Sequence, residues 1–287
     1  LVELVIGEDC STDDTRAIVR EYGERYPDRI RLLLPNHNLG MIPNFVATMD
    51  ACNGQYIALL EGDDYWTDPL KLQKQVDFLE AHPECSMCFH NVALLHQNGL
   101  EGLKRSPGAG AELTIEDLLL ANPVSTCSVV FRHALVEELP EWYFELIMGD
   151  WSLWVLLAQR GKLSYIDQVM GVYRVHKGGA WSGSDSLSLL SGLVKAFAVI
   201  DQHLGYQYHT FVEQGKINYL LQVSDRFLEV ETSSVSLPHR VRALRELAKQ
   251  HANLDPPVLR RYLRQYLTRY FFAAAQKGDY PRVIDSL

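Results

Sequence analysis

Three carboxylates stand together at the end of one predicted strand, and they carry the clearest chemical signal in the sequence. The apolar run 56–60 is followed directly by Glu61, Asp63 and Asp64. An apolar run of this length indicates a strand buried on both faces, and open α/β sheets bind ligands at the carboxyl ends of their strands. Hard oxygen ligands at that edge predict a site for Mg²⁺ or Mn²⁺ with a phosphorylated substrate. A solvated acidic turn that caps the next helix is the alternative.

A second acidic strand end, Glu8 and Asp9, lies near the start of the chain. Residues 2–6 are predicted to form a buried strand parallel to the later one, so both acidic ends should lie on one edge of the sheet. A carboxylate in this place can accept hydrogen bonds from a nucleoside base or ribose. Capping of the following helix is the alternative role for Asp9.

The elements that must position these acids alternate between strand and helix. Strands at 2–6, 29–34 and 56–60 enclose helices that end near residues 25 and 52. This alternation predicts an α/β fold whose sheet is mostly parallel, with helices on both faces. The chain opens inside the first of these strands, so we expect it to begin partway into a domain.

The pattern changes to helices after a Gly/Ser-rich segment at 178–186. We therefore expect one domain at residues 1–184 and a helical C-terminal region at 185–287. The predicted helices of that region cover about 186–203, 208–230, 238–252, 257–276 and 280–286.

Composition argues against some classes of protein. The net charge of −9 disfavours general nucleic-acid binding, which usually requires a basic domain. The charge is uneven, because residues 1–185 carry 14 Lys+Arg and 27 Asp+Glu (−13) while residues 186–287 carry 13 and 9 (+4). No apolar run approaches the roughly 18 residues of a membrane span, and the five cysteines are odd in number and sparse. These features predict a cytoplasmic location, with the inner face of the membrane as a further option.

Five segments, taken in order, resemble the motifs of inverting glycosyltransferase family 2 enzymes. They are the second-strand motif at 4–15, the N-x-G loop at 38–40, the D-x-D strand end at 56–66, the base-bearing segment at 148–151, and an H-x5-S pattern at His176 and Ser182. Each motif is short, but their order across about two-thirds of the chain makes the resemblance specific. The resemblance implies a GT-A fold, here without its first strand and helix, together with a nucleotide-sugar donor and a divalent cation, Mg²⁺ or Mn²⁺.

The resemblance also implies roles for individual residues. It makes Asp63 the main metal ligand and places Asp9 against the nucleobase. Glu61 stands where the family has the first Asp of D-x-D, so its longer side chain is expected to reach the sugar. Asp64 is expected to hold the donor sugar or assist the metal. The other residues expected to contact the nucleotide-sugar are Asn38, Arg174, His176 and Ser182.

Asp150 is the residue that the resemblance makes the general base. Inverting transfer is a direct displacement, in which one carboxylate takes the proton of the attacking acceptor hydroxyl. Asp150 begins a predicted helix, whose positive N-terminal end favours an ionised carboxylate. A helix cap is the alternative role.

Aromatic and basic residues supply two further candidate surfaces. Trp66, Trp151 and Trp181 are expected to pack on the acceptor or donor sugar, and core packing is the alternative. Residues 240–269 carry eight Lys and Arg among Leu, Val and Tyr. This stretch suits peripheral membrane contact, a charged glycan, a homo-oligomer contact or a solvated helix face.

We therefore predict an inverting glycosyltransferase that moves a sugar from a nucleotide-sugar donor, expected to be a UDP-sugar, to a hydroxyl of a glycan or polymer acceptor. A nucleotidyltransferase would use a similar sheet and metal. A non-catalytic glycan-binding or scaffold relative would keep the fold without the reaction. Both alternatives stay open at this point.

Overall fold

The computed structural model describes residues 2–104, 111–179, 186–231, 237–249 and 254–276. The chain divides into two compact units. The first unit comprises Leu1–Leu118 and Asn122–Ser182, and the second comprises Leu119–Ala121 and Gly183–Leu287.

Strands and helices alternate through the first two-thirds of the chain, and helices follow. The strands are β1 (Leu4–Gly7), β2 (Ile30–Leu33), β3 (Tyr56–Ala58), β4 (Tyr65–Trp66), β5 (Cys85–His96), β6 (Gly99–Lys104), β7 (Glu112–Leu113), β8 (Val130–Arg132) and β9 (Lys162–Arg174). The helices are α1 (Thr15–Arg25), α2 (Met41–Asp50), α3 (Lys71–Ala81), α4 (Ile115–Leu120), α5 (Gly149–Ala158), α6 (Ser186–His203), α7 (His209–Glu231), α8 (Leu237–Leu247) and α9 (Pro256–Gln276).

The first unit has an α/β fold, as the sequence predicts, but its larger sheet is mixed. β1 and β2 pair in parallel, with α1 between them in the chain. The larger sheet has the order β3-β8-β5-β9-β4, with β6 beside β5 and β7 beside β9. Only β5 and β9 are parallel among its pairs. The expectation of a mostly parallel sheet was wrong, because hydrophobic runs reveal strands but do not reveal which strands return antiparallel through short connections.

Two long strands form the centre of the larger sheet. β5 is buried from Cys85 to Val92, and β9 runs parallel to it until Leu95 lies opposite Arg174. Helix α5 packs into the same unit and is buried at every position from 151 to 157. A helix that is apolar on all sides belongs to the interior, so α5 is a fixed support for its first turn.

The second unit is helical over its described residues, which confirms the helical character predicted for the C-terminal region. Its core draws on all four helices, α6 to α9. The fully or nearly fully buried members include Leu190, Ile217, Leu220, Leu221, Leu244, Leu247, Tyr262 and Tyr266. Ser224 Oγ and the Tyr262 hydroxyl lie 2.7 Å apart inside this core. The predicted helix at 280–286 lies outside the described residues. Across the part of the chain that the structure describes, no helix is long and apolar enough to cross a membrane.

Candidate active site

The acidic strand end meets the end of β9 because β4 pairs antiparallel with it. Tyr65 lies opposite Val172 in this pairing. Just before β4, Asp64 Oδ1 accepts a hydrogen bond from the backbone N–H of Arg174 at 2.8 Å. The Arg174 side chain donates from Nε to the Asp63 carbonyl oxygen at 2.7 Å. Two segments that lie more than 100 residues apart are therefore fixed to each other at the predicted site.

Asp63 and His176 form the solvent-facing pair of the site. His176 Nε2 lies 2.8 Å from Asp63 Oδ2, and the side chains are 32% and 41% exposed. No group of three or more His, Cys, Asp or Glu suited to a metal ion occurs among the described residues. Mg²⁺ is usually held by one or two protein ligands together with substrate phosphates and water. A carboxylate beside an imidazole fits such a partial donor set.

Asp64 lies beneath the surface, where it supports the site from below. The residue is 9% exposed. Burial raises the pKa of the Asp64 carboxyl, and the hydrogen bond from the Arg174 backbone opposes that rise. The Cys127 thiol lies close enough to this carboxyl to lower its pKa. The second oxygen, Oδ2, is buried and makes no hydrogen bond of ordinary geometry among the described residues, so it can still receive a donor group from a ligand or water.

Asp150 and Glu61 share the hydroxyl of Thr126. Thr126, in a 3-10 turn at Thr126–Ser128, donates to Asp150 Oδ2 at 3.3 Å, and Asn122 Nδ2 lies 3.5 Å from the same oxygen. The Glu61 residue keeps an exposed surface, yet the protein around its carboxyl group removes enough water to raise its pKa to about 7. The negative charges of Asp64 and Asp150 contribute to this rise, and a Thr126 hydrogen bond opposes it.

The Tyr173 phenol lies near enough to the carboxylates of the site for their charges to affect its pKa. Burial, followed by the charges of Asp64, Glu61, Asp63 and Asp150, raises this pKa to about 12. The phenol therefore keeps its proton near neutral pH and can donate a hydrogen bond into the acidic cluster.

Asn122, Thr126 and Tyr173 are site residues that the sequence motifs do not indicate. Tyr173 stands beside Arg174 and three positions before His176, so its position was a usable signal. Asn122 and Thr126 lie in a loop that precedes β8. Only the packing of that loop against α5 reveals them.

Asp150 lies in the first turn of α5. The preceding residue, Gly149, is tightly enclosed, because a Cβ there would lie 3.0 Å from the Tyr143 hydroxyl and 3.1 Å from Ile42 Cδ1. Tyr143 also donates to the Gly149 carbonyl oxygen at 2.8 Å. This crowding explains why glycine stands where the family resemblance would place an acidic residue.

Asp9 organises the loop that carries Asn38. Its two carboxylate oxygens accept hydrogen bonds from the backbone N–H groups of Leu39 (2.6 Å) and Gly40 (2.9 Å), and Asn38 Nδ2 donates to the Asp9 carbonyl oxygen at 2.7 Å. Gly40 has a φ of 89°, a region that favours glycine. A carboxylate has about four acceptor positions, so a nucleobase contact of Asp9 stays a prediction.

The three tryptophans predicted to stack on sugars have different surroundings. Trp151 is completely buried and donates from Nε1 to the Leu118 carbonyl oxygen. The expectation that it contacts a sugar was wrong, because α5 is buried on every side. Trp66 is partly exposed, with Lys71 Nζ 4.3 Å from its ring centroid, so a sugar could use only the opposite face. Trp181 and Ser182 lie outside the described residues.

Comparison with known proteins identifies a sequence family and several relatives. Residues 1–139 match the family described as "Glycosyl transferase family 2". The uncharacterized protein Rv1520 of Mycobacterium tuberculosis is 40% identical over 182 residues, which cover 63% of this chain and 52% of that relative. The chain thus spans about half the length of this curated relative.

Solved structures of glycosyltransferases share the fold. TarS 1–349 of S. aureus aligns with a TM-score of 0.60 and 16% identity, covering 98% of this chain and 83% of that chain. The same TarS segment in complex with UDP gives a TM-score of 0.52 and 14% identity, over 98% and 83% of the two chains. The mannosyltransferase PcManGT from Pyrobaculum calidifontis, in complex with GDP-Man and Mn²⁺, gives 0.53 and 16%, over 96% and 77%. At these identities the likeness establishes the GT-A fold, as the sequence predicted.

Proposed function

Because residues 1–139 match the model of glycosyltransferase family 2, we propose that this protein transfers a sugar from a nucleotide-sugar donor to a hydroxyl of a glycan or polymer acceptor. The observation that carries this proposal is the acidic strand end, where Arg174 hydrogen-bonds Asp64 and the Asp63 carbonyl oxygen and His176 Nε2 lies 2.8 Å from Asp63 Oδ2. The donor is a UDP-sugar in our proposal, which is supported by the UDP bound to TarS. PcManGT binds GDP-Man, so the identity of the base is a point for experiment.

Asp150 is the general base of the proposed inverting reaction. Thr126 and Asn122 hold one of its oxygens, which fixes the orientation of the carboxylate. An oriented carboxylate can take the proton of an acceptor hydroxyl as the hydroxyl oxygen attacks the anomeric carbon. The bond to the nucleoside diphosphate breaks on the opposite face of the sugar, so the anomeric configuration inverts.

Asp63 is the proposed ligand of a divalent cation, Mg²⁺ or Mn²⁺, with His176 as its neighbour. When bound, such a cation offsets the charge that develops on the leaving diphosphate. His176 can serve as a ligand through neutral Nε2 or as a donor to phosphate when protonated. Arg174 donates a hydrogen bond from Nε to the Asp63 carbonyl oxygen, so its guanidinium group lies at the same strand end.

Glu61 and Tyr173 are proposed to contact the donor sugar. A carboxyl group with a pKa of about 7 exists in both protonation states near neutral pH, so Glu61 can donate or accept a hydrogen bond.

Asp9 and Asn38 are proposed to bind the nucleoside through the loop that they shape. Trp66 keeps its proposed role of packing on a sugar. We place the reaction in the cytoplasm, as the cysteine content predicts.

Product analysis with a panel of nucleotide-sugars tests the proposal. We expect metal-dependent release of UDP and a product whose anomeric configuration, read by NMR, is opposite to that of the donor. Release of pyrophosphate instead of UDP would identify a nucleotidyltransferase. Saturable binding of UDP-sugars without release of UDP, in the presence of diverse glycan acceptors, would identify a binding protein and contradict the proposal.

A further inference from the structure

The second unit carries an unusual set of cations along helix α9. The helix, Pro256–Gln276, contains four arginines and no acidic residue. An open concavity of about 490 Å³ lies against one side of it. Its described lining consists of Arg261, Arg264, Gln265, Thr268 and Arg269. Residues spaced by three, four, seven and eight positions lie along one face of a helix, so these side chains share a single surface.

Among the described residues, the three arginines of this concavity have no anionic partner. No ion pair or hydrogen bond of the Arg261, Arg264 or Arg269 guanidinium occurs within the described part of the chain, and Arg261 Nε is buried without a partner. On α7, Glu213 precedes the Gln214 that hydrogen-bonds Gln265, and it is already paired with Lys216 at 2.8 Å. A buried guanidinium nitrogen without an acceptor is destabilising, and an anion is the acceptor that satisfies it best.

The other two lining residues, Gln265 and Thr268, already make hydrogen bonds within the protein. Gln265 exchanges hydrogen bonds with Gln214 of α7 at 3.3 Å. The Thr268 hydroxyl donates to the Arg264 carbonyl oxygen at 2.9 Å. The free donors of the concavity are therefore the guanidinium groups, each of which offers a planar fork of N–H donors.

From these contacts we infer that the Arg261–Arg264–Arg269 concavity binds the phosphate groups of an anionic polymer. Phosphate suits three converging arginines better than a carboxylate does, because its oxygens point in several directions and accept more donors. Eight residues of helix extend about 12 Å, which is long enough for more than one phosphate of a chain. A bilayer surface fits less well, because the cations line a concavity, whereas a bilayer presents a broad and nearly flat surface.

This inference is independent of the transfer reaction, because it concerns the second unit and requires neither donor nor metal. The probe is sodium tripolyphosphate in the presence of EDTA, with orthophosphate for comparison. The reporter is the Nε–Hε NMR signal of Arg261, assigned with Arg261→Lys. We expect a saturable shift of this signal, weaker binding at higher ionic strength, and an affinity for tripolyphosphate at least about ten-fold above that for orthophosphate.

Matched variants distinguish specific binding by the concavity from a general attraction of anions to positive charge. Arg264→Gln with Arg269→Gln removes two charges from the concavity, and we expect its affinity for tripolyphosphate to fall by about ten-fold or more. Arg245→Gln with Arg260→Gln removes two charges from exposed positions outside it, and we expect a change below about two-fold. Thermal unfolding checks that both proteins fold. If the Arg264→Gln, Arg269→Gln protein does not fold, the double variant Arg264→Lys, Arg269→Lys replaces it. This variant keeps the charges but should still weaken binding, because lysine lacks the planar set of N–H donors of a guanidinium group.

Three results would overturn the inference. The first is an Arg261 signal that tripolyphosphate does not shift. The second is equal weakening by the two pairs of variants, which would mean unspecific attraction. The third is a protein that sediments with phosphatidylglycerol vesicles through Arg264 and Arg269 but does not bind tripolyphosphate, which would make this face a membrane contact.

Discussion

His176 Nε2 lies 2.8 Å from Asp63 Oδ2, although 113 positions separate the two residues in the chain. The contact forms because the β4–β9 pairing places the strand end of Asp63 beside the segment that follows β9. Both side chains remain partly exposed, so a ligand can reach them. This pair is the part of the candidate site where a cation and a diphosphate would meet.

Substitution of Asp63 should remove the dependence of UDP binding on metal. In Asp63→Asn the neutral amide is a weaker ligand for a hard cation, so we expect the affinity for UDP with Mn²⁺ to fall by about ten-fold or more. Calorimetry with and without MnCl₂ measures the effect. Asp28→Asn, an exposed position, is the control and should behave as the unmodified protein. If the unmodified protein bound UDP equally well without a divalent cation, the assignment of Asp63 would fail.

Loss of the Asp150 carboxylate should stop transfer without affecting donor binding. Asp150→Asn keeps the size of the side chain but cannot take a proton, and a general base contributes about 10²–10⁴-fold to a rate. We expect a decrease of that order in kcat, with UDP affinity unchanged in calorimetry. A rate close to normal would show that another group takes the proton.

Removal of the Thr126 hydroxyl should raise the pKa of Glu61. Its hydrogen bond lowers the pKa of Glu61, but burial outweighs this effect and the pKa is still raised to about 7. In Thr126→Val this opposition is lost, so the pKa of Glu61 rises and any limb of the pH–rate profile that depends on ionised Glu61 should move to higher pH. Thr126→Ser keeps the hydroxyl and should keep the profile. An unchanged profile in the valine variant would exclude this coupling.

Glu61 should make the protein less stable as the pH rises. Its folded-state pKa is raised to about 7 from an ordinary value of 4.5, so the folded protein holds a proton that the unfolded chain releases. Stability from this group is present below about pH 4.5 and is lost as the pH rises towards 7. Glu61→Gln should therefore raise the Tm at pH 8 more than at pH 5. The exposed Glu24→Gln should show no such difference, and equal shifts at both pH values in Glu61→Gln would contradict the expectation.

Gly7 should be required by the close packing of β1 on α2. A Cβ at this position would lie 2.0 Å from Thr48 Oγ1, and the short threonine side chain cannot move far. We expect Gly7→Ala to destabilise the protein by about 1–3 kcal/mol, measured by denaturant unfolding. Gly62→Ala meets no atom within 4 Å and should be nearly neutral. Adding Thr48→Ala should restore part of the loss in Gly7→Ala, and a double-mutant cycle without coupling would refute the clash.

Much of the fold follows from local patterns in the sequence. Hydrophobic periodicity correctly predicts the strands at Leu4–Gly7 and Ile30–Leu33, the helix between them, and the helical region from Ser186 onward. Hydrophobic periodicity does not indicate that β3 pairs with β8 and not with β1 or β2, the strands that precede it in the alternating part of the chain. Strand pairing depends on which surfaces meet during packing, and a period of two residues does not encode a partner.

For the candidate site, too, the sequence predicts one part and not the other. It marks Asp63, Asp150 and His176 as candidate functional residues, because carboxylates and imidazoles have few chemical roles at strand ends and helix starts. It does not mark their neighbours. Thr126 beside Asp150 and Arg174 above Asp64 are contacts between residues that lie 24 and 110 positions apart.

The sequence by itself determined the chemical groups and the ends of the elements that carry them. Tertiary structure decided which groups meet and which are excluded from solvent. Trp151 carries the same aromatic ring as Trp66, yet the first is enclosed by the core and the second reaches the surface. Burial is a property of all the chain segments that surround a side chain, so no short motif contains it.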